Sequence, residues 1–176
     1  MKIIHTPLQD CFILQPKVFE DARGYFFESF NKRTFHALTG FDVDFVQDNQ
    51  ALSHYGTVRG LHFQQGEYAQ AKLVRVLQGK VLDVVIDIRA QSPTYMQQFG
   101  IELSAENNLQ LFVPRGFAHG YSVLENNTIF HYKCDNYYNK ESEGGMNVLD
   151  KKLNIDWMIP EGDMVISDKD KELGMS

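Results

Sequence analysis

The stretch RGLHFQQGEYAQAKLVRVLQGKV, residues 59–81, carries an arginine, a histidine and a lysine in and around two segments that have the pattern of β-strands. Strands of a small protein usually keep charged side chains on the face toward water. In KLVRV, however, Lys72 alternates in phase with Val74 and Val76, so its ammonium group shares a face with two apolar side chains. Either Lys72 stands at the open end of its strand, or it serves a site inside the fold.

Similar runs recur along the chain between turn signals such as DARG, LQGK, SAENN, PRG and ENN. They are CFILQPKVF, GYFFESF, VDFVQDN, AKLVRVLQG, KVLDVVIDIR, QQFGIELS, LQLFVP, GYSVLE and TIFHYKCDNYY. This spacing predicts an all-β fold, an antiparallel barrel or sandwich. One helix is predicted in NKRTFHALTG, where Asn31 can cap the start, Phe35 and Leu38 share a face, and Gly40 can end it.

The segment TIFHYKC places a tyrosine on the face that points inward. Strand alternation puts Tyr132 with Phe130 and Cys134, and it puts His131 and Lys133 on the other face. A core aromatic with a satisfied hydroxyl is the commoner use of such a tyrosine. Its inward phase also allows a role in a site.

Length and composition limit the classes of protein to consider. At 176 residues, with 43% hydrophobic and 12% aromatic content, the chain is expected to form one domain over residues 1–176. A net charge of −6 without a basic run argues against a nucleic-acid-binding surface.

No apolar run reaches membrane-spanning length and the start lacks a signal-peptide layout, so we expect a cytoplasmic protein. Cys11 and Cys134 are far apart and are expected to be small buried residues.

A second segment, VPRGFAHGY, would deliver His119 to the mouth of a barrel, and with RGLHFQ it resembles the two signature segments of cupins. In metal-binding cupins the first segment supplies two histidines one residue apart and a downstream glutamate. Here the second position is Gln64, which leaves His62, His119 and Glu67, with the cationic Lys72 nearby. We therefore expect no metal. The alternative for both histidines is a hydrogen-bonded place in the core or rim without chemistry.

Over nearly its whole length the chain resembles the dTDP-4-dehydrorhamnose 3,5-epimerase family, which are cofactor-free cupins. The resemblance rests on an ordered set of motifs: KVFEDARGYFFESF, FVQDN, VRGLHFQ, AQAKLVRVLQGKVLDVVIDIR, SPTY, LSAENN, FVPRGFAHGYSVL, YKCDNYY and SEGG. It implies a jelly-roll (cupin) barrel with a few short helices, a dTDP-4-keto-6-deoxy sugar as substrate, and epimerisation at carbons 3 and 5 without a cofactor.

The resemblance also implies roles for individual residues. His62 matches the general base, Asp170 the carboxylate that orients it, Tyr132 the proton donor on the opposite face of the sugar, and Lys72 the cation near the enolate oxygen. From charge pattern alone, Asp170 belongs to a solvated DKDKE run.

Ten further residues match substrate contacts. Their expected partners are the sugar, the diphosphate and the nucleotide, with Tyr138 stacking on thymine: Arg23, Glu28, Gln47, Asp48, Asn49, Arg59, His119, Tyr138, Glu143 and Lys169. Arg59 is three residues from His62, and a regular strand would point the two side chains to opposite faces unless a bulge or a strand start intervenes. Arg23 follows a turn, where an ordinary solvated arginine is the alternative.

Other functions remain open at this level. They are a 3-epimerase of antibiotic-sugar type, a ketoisomerase on the same sugar nucleotide, and a non-catalytic sugar-nucleotide-binding or metal-binding cupin. The resemblance further implies a homodimer in which the N-terminal segment KVFEDARGYFF crosses to the partner's sheet. Neither a nucleic acid nor a membrane is expected as a partner.

Overall fold

The computed structural model describes residues 1–174 of the chain. Fourteen strands and two α-helices follow one another in this part of the sequence. The strands are β1 Lys2–His5, β2 Phe12–Gln15, β3 Phe19–Asp21, β4 Gly24–Phe26, β5 Gln47–Ser53, β6 Thr57–Gln64, β7 Lys72–Gln78, β8 Lys80–Asp87, β9 Gln98–Ser104, β10 Gln110–Val113, β11 Phe117–Val123, β12 Thr128–Cys134, β13 Glu143–Gly145 and β14 Val165–Ile166, and the helices are α1 Lys32–Thr39 and α2 Asp168–Lys171.

Two sheets make up the fold, and the chain passes repeatedly from one to the other. The first has the order β1-β2-β10-β7-β12-β5 and is antiparallel throughout. The second has the order β13-β6-β11-β8-β9, with β14 added in parallel to β6. This is the expected all-β jelly-roll barrel, and the expectation is confirmed. No helix among residues 1–174 is both long and apolar enough to span a bilayer.

The main core lies between the two sheets. It is built from inward side chains of both, including Val74 and Phe130 from the first sheet and Val81, Val85 and Tyr121 from the second. The outer face of the second sheet is covered by the C-terminal segment around Trp157. The outer face of the first is covered by α1 and N-terminal aromatics. Side chains on β7, β11 and β12 that point inward therefore face an apolar interior, except where the barrel opens.

The predicted helix forms within one residue of the expected range. The side chain of Asn31 accepts a hydrogen bond from the amide of Thr34, and Gly40 ends the helix in the left-handed region at φ 74°. Phe35 is buried, whereas Leu38 is 41% exposed. The helix thus covers the sheet mainly through one aromatic ring.

The β3–β4 hairpin stands apart from both large sheets and forms a two-stranded sheet of its own. Three large apolar side chains on it are open to solvent: Phe19 at 54%, Tyr25 at 59% and Phe26 at 70% exposure. Exposed apolar groups of this size on one short hairpin are typical of an interaction surface.

Candidate active site

A cavity of about 350 Å³ opens between the two sheets. The residues that line it include Arg59, His62, His119 and Tyr121 from the second sheet, Ala51, Lys72, Phe130 and Tyr132 from the first, and Ser167, Lys169 and Asp170 from the C-terminal segment. His62 and Tyr132 therefore project from opposite walls. Among the expected site residues, the cavity brings together Arg59, His62, Lys72, His119, Tyr132, Lys169 and Asp170.

The imidazole of His62 is held by a carboxylate. Its Nε2 lies 2.7 Å from Oδ1 of Asp170, whose side chain is only 6% exposed. The short helix α2 positions this carboxylate, because the hydroxyl of Ser167 accepts a hydrogen bond from the amide of Asp170. Since a carboxylate can only accept, Nε2 carries the hydrogen and Nδ1 is left as the basic nitrogen.

Lys72 and Tyr132 stand on the wall opposite His62. Lys72 Nζ lies 6.0 Å from the centroid of the Tyr132 ring. Burial lowers the pKa of the Lys72 ammonium below that of a free lysine. Burial raises the pKa of the Tyr132 phenol. At neutral pH the phenol therefore keeps its proton and can donate it, and the predicted inward phase of Tyr132 is confirmed.

Arg59 and His62 both reach the cavity because the pairing of β6 with β11 is irregular between them. His119 is opposite His62 and Tyr121 is opposite Arg59, so two residues of β6 lie opposite the single residue Gly120 of β11. The irregularity falls at Gly60, whose φ is 124° and where a Cβ atom would lie 2.5 Å from the Cα of Gly120. Only glycine fits this backbone. The bulge explains how Arg59 and His62, which are three residues apart, can point to the same face of β6.

His119 has a carboxylate partner of its own. Its Nε2 lies 3.0 and 3.1 Å from the two oxygens of Asp83. Asp83, on β8, has no solvent exposure, and His119 is 6% exposed. Two histidines that line the cavity, His62 and His119, thus each bond to a carboxylate, and the two histidines are cross-strand partners.

A hydrogen-bonded network connects β5 to α2 beside the cavity. Gln47 bonds to the side chain of Asn49 and to the amide of Tyr138. The Tyr138 hydroxyl donates to Glu143 at 2.8 Å, and Lys169 donates to the same carboxylate at 2.6 Å. Although burial alone would raise the pKa of Glu143, these two hydrogen bonds lower it. Five expected nucleotide contacts therefore form one connected group.

Comparison with known proteins agrees with this geometry. The model of the dTDP-4-dehydrorhamnose 3,5-epimerase family matches residues 5–175. The chain belongs to this family. The Shigella flexneri dTDP-4-dehydrorhamnose 3,5-epimerase is 49% identical over 170 residues, covering 97% of this chain and 93% of the relative.

Two solved members of the family have nearly the same fold as this chain. The dTDP-4-dehydrorhamnose 3,5-epimerase of Elizabethkingia anophelis NUHP1 superposes with a TM-score of 0.95 at 56% identity, covering 99% of this chain and 95% of that one. The dTDP-6-deoxy-D-glucose-3,5-epimerase of Legionella pneumophila Philadelphia 1, solved with dTDP-4-keto-L-rhamnose, superposes with a TM-score of 0.94 at 44% identity, covering 99% and 92%.

Three expected substrate contacts belong neither to the cavity lining nor to the network beside it. Arg23 pairs with Asp21 in the exposed hairpin at 2.5 Å. Glu28 accepts a hydrogen bond from Asn31. Asp48 lies on the outer face of β5, where both its oxygens are 2.9 Å from Lys133. Within one chain these side chains are structural or solvent-facing.

Two features of the site were not predicted from the sequence. They are the buried carboxylate of Asp83 and the need for glycine at position 60, where the bulge forms. In KVLDVVIDIR, Asp83 shares its phase with Val81 and Val85, the same signal that drew attention to Lys72. Asp87 has that phase too, and it is fully buried but accepts hydrogen bonds from Arg89, Ser92 and Thr94 instead. Strand alternation therefore identifies both aspartates as buried. It does not show that one contacts a histidine of the cavity and the other contacts Arg89.

The structure also shows what Gln64 does at the position where metal-binding cupins carry a histidine. Its side-chain oxygen accepts a hydrogen bond from the amide of Asn139 at 2.9 Å. This bond anchors the segment that carries Tyr138 and Glu143. In the described part of the chain, no three His, Cys, Asp or Glu side chains are grouped as a metal site.

Proposed function

We propose that the chain converts dTDP-4-dehydro-6-deoxy-D-glucose to dTDP-4-dehydro-L-rhamnose by inverting carbons 3 and 5. The observation that carries the proposal is the arrangement of three groups in one cavity. His62 lines the cavity from one sheet and Tyr132 from the other, and the ammonium of Lys72 lies 6.0 Å from the centroid of the Tyr132 ring. Inversion at a carbon requires this two-sided placement of base and acid.

The ketone at carbon 4 acidifies the hydrogens on both neighbouring carbons. His62 removes one of these protons and becomes an imidazolium, which Asp170 stabilises. The electron pair moves to the carbonyl oxygen, and the ammonium of Lys72 stabilises the negative charge there. Tyr132 then protonates the same carbon from the other face. Solvent exchange restores both side chains before the second carbon reacts. The oxidation state of the sugar does not change, so no redox cofactor is needed.

The nucleotide part of the substrate lies toward the network beside the cavity. Arg59, His119 and Lys169 contact the sugar and the diphosphate, and guanidinium groups bind phosphate in two-pronged fashion. Tyr138, which is 52% exposed, offers an open ring face for thymine. Gln47, Asn49 and Glu143 hold this ring in position through the hydrogen bonds described above.

The reaction in deuterated water tests the activity. We expect one solvent deuterium at each of carbons 3 and 5, with the L-rhamno product identified by NMR. Label at carbon 3 alone indicates a 3-epimerase, and a carbonyl moved along the ring indicates a ketoisomerase. Binding of the sugar nucleotide without uptake of deuterium would indicate a non-catalytic binding protein.

Replacing Tyr132 by Phe separates proton removal from inversion. We expect the rate of product formation to fall by about 100-fold, because the general acid is lost while water in the cavity remains a poor donor. Proton removal by His62 continues, so the substrate should take up deuterium with its configuration retained. NMR of the recovered substrate measures this uptake. The matched control is Tyr55→Phe, which makes the same change at an exposed tyrosine. Equal rates of inversion in the two variants would contradict the role of Tyr132 as general acid.

We infer further that the protein is a homodimer in which the β3–β4 hairpin reaches the partner. The hairpin pairs with neither large sheet, and it exposes Phe19, Tyr25 and Phe26. Burial of such a surface in a partner is favourable. Arg23 and Glu28, which do not face their own cavity, would then reach the cavity of the other subunit.

Mixing two inactive variants tests this exchange. Arg23→Ala and His62→Asn chains, unfolded and refolded together, should form hybrid dimers with one intact cavity, which gives about a quarter of wild-type activity. Light scattering should show a dimer. A stable active monomer, or mixtures as inactive as either variant alone, would refute the exchange.

A further inference from the structure

Asp83 is the most deeply buried acid that contacts a residue of the cavity. It lies on β8 in phase with the core residues Val81 and Val85, and it has no exposed surface. Its carboxylate does not line the cavity and so cannot touch a bound sugar. What it contacts is Nε2 of His119, at 3.0 and 3.1 Å. Any effect of Asp83 on a reaction must therefore act through another residue.

This contact decides which nitrogen of His119 is available. Because the carboxylate accepts, the hydrogen of the bonded imidazole lies on Nε2. Within residues 1–174, Nδ1 of His119 bonds to no other side chain or backbone group, and no buried polar side-chain atom is left unsatisfied. Nδ1 is thus the nitrogen that meets a bound molecule. In this tautomer Nδ1 has no hydrogen, so it can accept a hydrogen bond from a hydroxyl group of the sugar.

The buried charge of Asp83 also bears on Lys72. A carboxylate without exposed surface is costly beside neutral partners and is stabilised when a neighbour is positive. The cavity also holds the ammonium of Lys72, and the negative charge of Asp83 acts against the lowering of its pKa by burial. Cys134 would act in the same direction only as a thiolate, but burial raises its pKa to about 11. At neutral pH the negative charge that supports the Lys72 ammonium therefore comes from carboxylates, chiefly Asp83.

We propose that Asp83 is a positioning residue for the reaction: it fixes His119 with Nδ1 toward the substrate, and its buried negative charge supports the ammonium of Lys72. The two histidine–carboxylate pairs then have different tasks. His62 with Asp170 moves protons, whereas His119 with Asp83 orients the sugar. The inference rests on the proposed epimerase function for its kinetic test.

Several titratable or charged groups face this region and belong in any account of its pH dependence. They are Arg59 and His62 from β6, Lys72 from β7, Asp83 from β8, His119 and Tyr121 from β11, Tyr132 and Cys134 from β12, Glu143 from β13, and Lys169 and Asp170 from α2. Among them, loss of Asp83 removes the charge that supports Lys72. The ammonium should then deprotonate at lower pH.

The kinetic test is Asp83→Asn, which keeps the shape and a hydrogen-bonding group but removes the charge. We expect kcat to fall about 100-fold at neutral pH, as for loss of one electrostatic stabiliser. The alkaline limb of the pH profile should move to lower pH. The matched control is Asp87→Asn, an equally buried acid of the same strand and phase that contacts Arg89 outside the cavity. It should lower the melting temperature while leaving kcat and the alkaline limb unchanged.

Three results would overturn the inference. One is an Asp83→Asn enzyme with wild-type kcat and pH profile, and another is a loss of kcat with an unmoved alkaline limb, which means a structural role alone. The third comes from ¹⁵N NMR of wild-type His119, which needs neither a folded variant nor turnover. We expect the hydrogen on Nε2 both in the free protein and when dTDP is bound. A ring protonated only at Nδ1 contradicts the proposal, even if the wild type proves not to be an epimerase.

Discussion

His62→Asn is expected to abolish epimerisation, with kcat lowered by about 10⁴-fold, the upper range for loss of a general base. No deuterium from solvent should enter carbon 3 or carbon 5, because both proton removals depend on the same imidazole. This differs from Tyr132→Phe, where exchange persists without inversion. Deuterium content at the two carbons, followed by NMR, measures the effect directly.

The control for His62→Asn is His131→Asn. His131 is next to Tyr132 in sequence but faces the outside of the first sheet, 3.8 Å from Asp48. The same change of side chain there should leave kcat near the wild-type value. If His62→Asn still labels either carbon at the wild-type rate, another group is the base and the proposed arrangement is wrong.

Lys72→Met should lower kcat by about 10³-fold, because a fixed cation at the enolate oxygen is lost from a partly apolar cavity. KM should change less, since the charge of the enolate develops only in the transition state. Burial lowers the pKa of Lys72, and the cationic form is the active one. Wild-type activity should therefore decline as pH rises through a value below that of a free lysine.

A surface lysine provides the matched control for Lys72→Met. Lys80 pairs with Glu102 and Glu125 at 3.8 and 3.5 Å, and Lys80→Met changes the net charge equally without touching the cavity. Its kcat and alkaline limb should match the wild type. A Lys72→Met enzyme with the wild-type alkaline limb would show that another group titrates there.

Local alternation was sufficient to predict much of the site from the sequence. The inward phases of Tyr132 and Lys72 follow from a period of two, and strands keep that period wherever pairing is regular. The bounds of α1 follow from Asn31 and Gly40, because caps act on the nearest turn. The short strands β1, β13 and β14 were not predicted, since β13 and β14 are only three and two residues long.

Features that depend on distant contacts could not be read from local pattern. Asp170 lies in a charged run typical of a solvated surface, yet it is 4% exposed because α2 packs against β6, more than one hundred residues earlier. The bulge at Gly60 depends on the approach of Gly120 from β11. Asp83 and Asp87 have the same local pattern, and only their partners distinguish them. For Asp170 the family resemblance supplied what periodicity could not, whereas Asp83 and the position of the bulge emerged only from the structure.

A crystal structure of the protein with dTDP-glucose, which lacks the ketone and does not react, tests the central claim most directly. We expect the hexose ring between His62 and Tyr132, with one side chain on each face at roughly 3–3.5 Å from the carbons that exchange. The ammonium of Lys72 should lie beside the oxygen of carbon 4. A ring that has both side chains on the same face, or that occupies the separate cavity lined by Phe63 and Met96, would contradict the account.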